Sequence, residues 1–333
     1  MDSKRTLFGI TESIEWIREI YMIDFTQCEH LNKGYAGANG NKISVRYHGD
    51  IYMLKFPSGA KINKDMHYTN GCISEYLGCH IFELAQIPVQ ETLLGTYNDG
   101  KKEKVVVACK DMTSVGIVLQ DFASLKNQSV NSERNGYGTE LKEILYTFDD
   151  QMAVDPEQLR DFFWNMFVVD ALIGNWDRHN GNWGFLYNQA TDEMKIAPVY
   201  DCGSSLYPQA DDEVMSLVLS DVGERGTRIY NRPVSAIKIN DKKINYYDYI
   251  SSMENDDLNK AVLRIVPHIK EREIIELVDS VPILSSLQKE FYKTMLLERK
   301  HIILDETYKK LAETQEKIND IDMNIRRNKS KGR

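Results

Sequence analysis

The segment from Gly174 to Asn182 constrains the fold of this chain more than any other. Its sequence is G-N-W-D-R-H-N-G-N, and it directly follows residues 155–173, which are apolar on nearly every side. Asp155 and Pro156 are typical of a helix N-cap and first helical position, and Gly174 is a typical helix end. These signals predict a buried central helix that holds the following loop rigidly.

Three oxygen-bearing side chains follow that helix: Asp177, Asn182 and Asp201, the last of which precedes Cys202 and a glycine. One carboxylate can orient an attacking hydroxyl, while an amide oxygen and a second carboxylate can hold Mg²⁺ on the phosphates of ATP. We therefore predict phosphoryl transfer, with Asp177 as the catalytic residue and with Asn182 and Asp201 as metal ligands. The alternative is a turn in which Asp177 and Arg178 form a local ion pair.

Residues 43–56 predict a β-hairpin, in which Lys55 ends the second apolar strand. A lysine that points inward from such a strand needs an anion, and the α- and β-phosphates of ATP would supply one. The alternative is a solvent-facing lysine that protects an exposed sheet edge.

Residues 34–42, just before this hairpin, contain three glycines. Glycine allows backbone N–H groups to approach phosphate closely, so the segment is a candidate phosphate loop, or else a flexible surface turn. The candidate ATP-binding residues here are Gly37, Ala38, Asn39, Gly40 and Lys42.

Residues 73–85 have helical periodicity, and Glu75 is the natural partner for Lys55. Glu75 lies opposite the apolar stripe that includes Leu77, so either the helix packs on two sides or Glu75 is solvated.

The apolar run 105–108 and the residues after it are predicted to connect two lobes. Backbone groups near Ala108, Cys109 and Asp111 are candidates to bind adenine there.

The bulk composition limits the classes of function. The formal net charge of −9 argues against broad binding to nucleic acid or to anionic membranes. Five scattered cysteines without a C-x-x-C pair indicate reduced thiols. We find no run long enough for a membrane helix and no secretory signal, so we expect a cytoplasmic protein, with secretion as an effector left open.

The order of these segments predicts an α+β protein with a two-lobed, kinase-like fold. We expect a small β-rich lobe at 1–111, a larger helical lobe at 112–300, and a C-terminal helix with a basic tail at 301–333. Within the large lobe, the polar stretch 123–139 predicts an exposed loop, and residues 204–235 predict an activation or substrate loop.

Five motifs together resemble the HipA-like serine/threonine kinases. They are A-G-A-N followed by Lys42, Y-M-L-K-F-P at 52–57, S-E-Y at 74–76, N-W-D-R-H-N-G-N at 175–182 and A-P-V-Y-D at 197–201. The resemblance implies a two-lobed kinase fold and Mg-ATP-dependent phosphorylation of Ser or Thr. The family's catalytic Asp would fall on Asp177, its metal-binding pair on Asn182 and Asp201, and its ATP lysine on Lys55.

The chain also departs from the family's toxin members. Residues 28–34 lack the serine that those members autophosphorylate, so inhibition by that route is not expected. Because the phosphate loop falls close to the first residue, we do not expect the extra N-terminal subdomain with which those members help contact a DNA-binding antitoxin. It is therefore more similar to short, stand-alone members of the CtkA type.

The expected partners are a protein substrate with a Ser or Thr hydroxyl and, through the resemblance, an antitoxin or other regulator. Direct contact with nucleic acid or a membrane is not expected. Because D-R-H-x-x-N also occurs in phosphoinositide kinases, one alternative is a lipid or small-molecule kinase. A second alternative is a toxin-like or effector module that binds a partner with little turnover.

Overall fold

The computed structural model describes residues 22–35, 42–57, 70–129 and 135–331, with side chains as far as residue 319. Its N-terminal part is a curled sheet with one helix, and the rest is mostly helical, so the predicted α+β, two-lobed architecture is confirmed. Gly37, Ala38, Asn39 and Gly40 lie outside the described residues.

Six strands form the N-terminal sheet, in the order β1-β5-β6-β4-β3-β2. They are β1 Ile23–Asp24, β2 Glu29–Leu31, β3 Lys42–Tyr47, β4 Asp50–Lys55, β5 Thr92–Asn98 and β6 Glu103–Lys110. A second sheet has the order β7-β8-β9, and a third is the pair β10-β11. Their strands are β7 Ile117–Asp121, β8 Gly184–Asn188, β9 Glu193–Ile196, β10 Val234–Ile239 and β11 Lys242–Asn245.

The hairpin of β3 and β4 confirms the prediction for residues 43–56. His48 and Gly49 both have positive φ values, 50° and 92°, as a tight hairpin turn requires. Because side chains alternate along a strand, Leu54 packs under the sheet, whereas Lys55 lies on the face turned toward the helical part.

The helices are α1 Gly71–Leu84, α2 Phe122–Ser129, α3 Leu141–Asp150, α4 Pro156–Ile173, α5 Asp212–Ser220, α6 Val222–Gly226, α7 Tyr246–Ser252, α8 Asp256–Ile265, α9 Glu271–Ser280, α10 Ser286–Arg299 and α11 Glu306–Lys331. Short π-helical segments follow α6 and α10. Of the described helices, none is both long enough and apolar enough to cross a bilayer.

Helix α1 is buried on two sides, because it packs against β5 and β6 as well as against α4 and α9. Its Gly78 lies so close to the segment after β9 that a Cβ there would approach the Cβ of Cys202 to 2.7 Å. The predicted apolar stripe therefore covers only one of two buried faces.

Helix α4 begins and ends as predicted. The side chain of Asp155 accepts a hydrogen bond from Gln158 N at 2.9 Å, and Pro156 occupies the first helical position. Gly174 ends the helix with φ 63°, a left-handed conformation that glycine adopts without strain. Eleven side chains of α4 are buried, so this helix fixes the loop that follows it.

Two loop predictions are wrong for part of their length. Within 123–139, residues up to Ser129 form α2, in which Phe122 and Lys126 are buried. Lys126 can be buried because Glu143 accepts from its amine at 2.6 Å and the carbonyl of Gly138 does so at 2.8 Å. Residues 204–235 are not one long loop either, since they contain α5 and α6.

Arg299, at the end of α10, links the C-terminal helices to α4 by hydrogen bonds. The guanidinium is buried and donates to the carbonyl of Ala171, at 2.9 Å from Nε and 2.6 Å from Nη2, and to the carbonyl of Arg228. Ala171 O lies in the last turn of α4, where a cation is favoured by the helix dipole. The proposed domain limits of 1–111, 112–300 and 301–333 stay predictions.

Candidate active site

A cavity of about 880 Å³ lies between the six-stranded sheet and the helical part. The residues from the sequence analysis that line it are Lys42, Lys55, Glu75, Cys109, Asp111, Asp177, Asn182 and Asp201. Residues from both parts of the fold thus converge on one cleft.

Lys55 is the centre of a three-charge cluster. Its Nζ lies 2.9 Å from Glu75 Oε1 and 2.9 Å from Asp201 Oδ1. Burial alone would lower the pKa of Lys55, but the charges of Asp201 and Glu75 outweigh burial and raise that pKa well above its ordinary value. Lys55 is therefore a fixed cation at the wall of the cleft.

Glu75 is buried rather than solvated, with its side chain 1% exposed. The two-sided packing of α1 explains this position. Gly203 lies beside it: a Cβ at residue 203 would come within 2.9 Å of Glu75 Oε2, so a side chain there would disturb the charge cluster.

The loop after α4 holds Asp177 through its backbone. Asn175 Oδ1 accepts from Asp177 N at 3.0 Å, while Asp177 O accepts from His179 N at 2.7 Å and from Asn182 Nδ2 at 2.9 Å. The amide nitrogen of Asn182 is thereby occupied, and its amide oxygen remains for a ligand. His179 Nδ1 accepts from Gly181 N at 3.0 Å, the structural hydrogen bond expected of an imidazole in this loop.

Arg178 does not pair with Asp177, so the local ion pair considered from the sequence is wrong. Its guanidinium is buried and binds Asp170 of α4 twice, with Nε–Oδ2 at 2.9 Å and Nη2–Oδ1 at 3.1 Å. Nη1 also donates to the carbonyl of Asn182 at 2.7 Å and to the carbonyl of Tyr200. One buried side chain therefore ties the loop of Asp177 to the segment that contains Asp201.

Asp201 has φ 61°, a left-handed conformation that Asp tolerates better than most residues. The positive charge of Lys55 holds the pKa of Asp201 below its usual range, although burial opposes the effect. Its side chain is 44% exposed and so reaches the cleft while Oδ1 binds Lys55.

Asp177 is half-buried at the floor of the same cleft. Burial raises its pKa, the charge of Asp201 adds to that rise, and the charges of Lys243 and Arg178 oppose it. The two carboxylates thus influence each other across the cleft but have pKa values shifted in opposite directions.

Asn182 and Asp201 fit a magnesium ion by the chemistry of their donors. Mg²⁺ prefers oxygen ligands and is bound in nucleotide sites by one or two protein groups together with phosphate and water. Asn182 Oδ1 is neutral and Asp201 Oδ2 is charged, and the other polar atom of each side chain is engaged by the protein.

Ala108 does not reach the cleft. Residues 105–108 lie within β6 and hydrogen-bond to both β4 and β5, so they are not the connector between the lobes. The Ala108 side chain packs under the sheet with Leu54, on the face opposite Lys55. The connection is the segment 111–116 between β6 and β7.

Cys109 and Asp111 do line the cleft, but their side chains already have partners. The Sγ of Cys109 lies 3.9 Å from Glu75 Oε1. Asp111 Oδ2 lies 2.5 Å from Lys33 Nζ and accepts from Tyr35 OH at 2.8 Å, while Oδ1 accepts from Thr113 Oγ1 at 2.7 Å. Asp111 therefore joins the segment before the glycine-rich loop to the connector.

We expect Asp111→Asn to destabilise the protein by about 1–3 kcal/mol, because a buried acceptor of charge-assisted hydrogen bonds is lost. Burial raises the pKa of Asp111, but the bonds from Lys33 and Thr113 outweigh it and leave the pKa below its ordinary value. A carboxyl whose pKa is depressed by folding stabilises the protein above its unfolded pKa and loses that effect on acidification. The difference between wild type and variant should therefore shrink as the pH falls.

Urea unfolding at neutral and acidic pH measures this difference. Asp149→Asn is the matched control, since Asp149 forms an ion pair with Arg160 at a more exposed site. Equal losses of stability in the two variants would contradict the structural role of Asp111.

Several apolar residues of the cleft were not singled out from the sequence, among them Met53, Met112 and Leu119. An isolated apolar residue in a strand or connector has the same sequence signal as a core residue, so no pattern distinguished them. Arg178 was considered only as a partner for Asp177. Asp170, an acid within the otherwise apolar last two turns of α4, was the missed signal, because a buried charge requires a partner.

The two-lobed fold and the lysine, glutamate and aspartate cluster in its cleft define a protein kinase. The family model for the HipA-like C-terminal domain matches residues 34–278. The serine/threonine-protein kinase CtkA of Helicobacter pylori is 51% identical over 293 residues, which are 87% of this chain and 89% of that protein. The chain therefore belongs to the HipA-like serine/threonine kinase family.

Solved structures agree with this assignment. The crystal structure of the H. pylori proinflammatory kinase CtkA matches with a TM-score of 0.83 at 50% identity, covering 88% of this chain and 99% of that one. HipA of Shewanella oneidensis, solved with HipB and operator DNA, matches with a TM-score of 0.51 at 17% identity, covering 82% and 67% of the two chains. The second likeness shows the fold alone, so no partner is carried over from that complex.

Proposed function

We propose that this kinase is dependent on ATP and Mg²⁺ and transfers the γ-phosphate to a Ser or Thr hydroxyl of a protein. The observation that carries the proposal is the convergence of Asp177, Asn182 and the Lys55–Asp201 pair on one cleft. Phosphoryl transfer depends on positioning and charge, and these residues supply both.

In this proposal Lys55 binds the α- and β-phosphates, held in place by Glu75. Lys42 faces Lys55 across the hairpin and adds positive charge at the same wall. Residues 37–40 would cover the phosphates with backbone N–H groups. Backbone groups from Cys109 and Asp111 onward would bind adenine, and the connector's Met112 offers an apolar surface to the base.

Asn182 and Asp201 would hold Mg²⁺, which would neutralise charge on the phosphates when bound. Asp177 would accept a hydrogen bond from the substrate hydroxyl, orient its oxygen toward the γ-phosphorus and receive its proton. Its raised pKa favours that role, since a stronger base accepts the proton more readily. Hydroxyls of the chain itself are substrates of the same kind, so the proposal includes autophosphorylation.

We predict that Asp201→Asn abolishes detectable phosphate transfer, because it removes a charged metal ligand and a partner of Lys55. Asparagine also tolerates a left-handed φ, so the backbone should be retained. The measurement is the transfer of labelled γ-phosphate from ATP at increasing concentrations of Mg²⁺. Protein and lipid are then separated to see which carries the label, and mass spectrometry identifies the labelled residues.

Asp192→Asn is the matched control, since Asp192 also has a positive φ, 56°, but lies in the exposed turn between β8 and β9. It should retain full transfer. Label that enters lipid instead of protein would favour the lipid-kinase alternative. The absence of transfer and ATP hydrolysis in the wild type would favour a binding module.

A further inference from the structure

The hairpin of β10 and β11 presents two lysines side by side. Lys238 and Lys243 are Cα partners across the antiparallel strands, so their side chains leave the same face of the ribbon. Neither forms an ion pair with any residue for which the structure describes a side chain. Like charges directly opposite each other destabilise a strand pair, so an anion bound between them would relieve repulsion.

This lysine pair lies beside the loop of Asp177. Tyr246, immediately after β11, is buried, and its hydroxyl donates to Asn175 O at 2.6 Å, two residues before Asp177. Burial raises the pKa of Asp177, and the charge of Lys243 is among those that oppose burial, so Lys243 acts on the catalytic carboxylate itself.

The other strand is fixed as well. Lys238 N donates to Thr139 O at 2.9 Å, and Thr139 Oγ1 donates to Ala236 O at 2.7 Å. Glu140 is the nearby acid, and its Oε1 accepts a hydrogen bond from Asp241 N in the hairpin turn at 2.7 Å. Glu140 forms no ion pair with either lysine. The hairpin therefore holds its two cations in a defined place at the side of the cleft.

The net charge of the whole protein makes the pair of Lys238 and Lys243, called the patch below, significant. With a formal net charge of −9, the chain as a whole repels acidic proteins. Two lysines without an ion-pair partner among the described side chains, at the catalytic loop, would reverse that preference where a substrate segment must approach.

We propose that Lys238 and Lys243 bind an acidic side chain of the protein substrate, so that the kinase selects Ser or Thr acceptors flanked by Asp or Glu. The inference rests on the proposed function, which supplies the acceptor hydroxyl at Asp177. Beyond the proposed function, the inference specifies that acidic residues flank the acceptor hydroxyl of the substrate. It also identifies Lys238 and Lys243 as residues that determine specificity.

Fluorescence anisotropy of labelled peptides tests the patch without requiring catalysis. One peptide has alanine at the acceptor position flanked by glutamates, and the other has lysines in their place. The wild type should prefer the acidic peptide. The double variant Lys238→Glu/Lys243→Glu should lose roughly tenfold or more of that affinity, because two exposed charge pairs are replaced by repulsion, and should prefer the basic peptide.

Lys242→Glu is the matched control. It makes the same charge change on the same strand, but Lys242 pairs with Ile239 and points to the opposite face of the ribbon. Lys238→Gln/Lys243→Gln removes charge without adding repulsion and should give an intermediate loss. Thermal unfolding of each variant checks that the hairpin remains folded.

Equal affinity of the wild type for the two peptides would overturn the inference, and so would an equal loss in the Lys242→Glu control. Tighter binding of single-stranded RNA, lost in the double variant, would assign the patch to a polyanion and overturn it too. Asp177→Asn should bind the acidic peptide normally. Selective peptide binding without phosphate transfer by the wild type would therefore reject the proposed function and retain the patch.

Discussion

Asp177→Asn should lower the rate of phosphate transfer by about 10²–10⁴-fold, the usual contribution of a positioned proton acceptor. Asparagine keeps the shape of the side chain but cannot take the proton of the substrate hydroxyl. The hydrogen bonds that hold residue 177 are made by its backbone N and O, so they should survive the change. Single-turnover transfer of γ-phosphate measures the effect.

ATP binding distinguishes this loss from misfolding. The Kd for Mg-ATP, measured by calorimetry, should stay close to that of the wild type, since Lys55 and Asp201 are unchanged. His179→Asn is the comparison within the same loop, because asparagine Oδ1 can replace Nδ1 as the acceptor for Gly181 N. If His179→Asn were as slow as Asp177→Asn, the imidazole would share the chemistry and the assigned role of Asp177 would fail.

The second large effect concerns stability. Arg178→Met should destabilise the protein by about 3–5 kcal/mol, because it leaves the carboxylate of Asp170 buried without its cation. Burial raises the pKa of Asp170 even though the charge of Arg178 lowers it. Without Arg178 the pKa should rise further, so the carboxyl should bind a proton in the variant. Urea unfolding of wild type and variant measures the loss.

The double variant Arg178→Met/Asp170→Leu separates stability from positioning. Replacing both charges by apolar groups should restore much of the stability. Transfer activity should stay low, since Arg178 also holds the carbonyls of Asn182 and Tyr200. Arg46→Met, at an exposed pair with Glu29, should cost no more than about 1 kcal/mol. A double variant with full activity would show that the two loops keep their places without Arg178.

Local signals explain what the sequence could predict. Asp155, Pro156 and Gly174 determine the backbone conformation of their immediate neighbours, so both ends of α4 could be predicted. The hairpin that ends at Lys55 has strand-like residues on both sides of a glycine-containing turn. The three oxygen-bearing side chains lie on one short loop and one following segment, which made their spacing informative.

What the sequence could not predict depends on distant partners. The polar composition after Asp121 favoured a loop, but Lys126 gains an acid from α3, so the segment is helical and packed. The run 105–108 looked like a connector because its pairing with β4 and β5 cannot be inferred locally. The bond between Asp170 and Arg178 joins residues from two elements, and only the fold shows how they meet.

The two-sided burial of α1 has a consequence for how this kinase is switched on and off. Moving α1 far enough to separate Glu75 from Lys55 would break its contacts with the sheet, with α4 and with α9 at the same time. Ten of its residues would lose their packing, a free-energy penalty larger than a single modification supplies. We therefore expect any control of this kinase to act on access to the cleft and not on the position of α1.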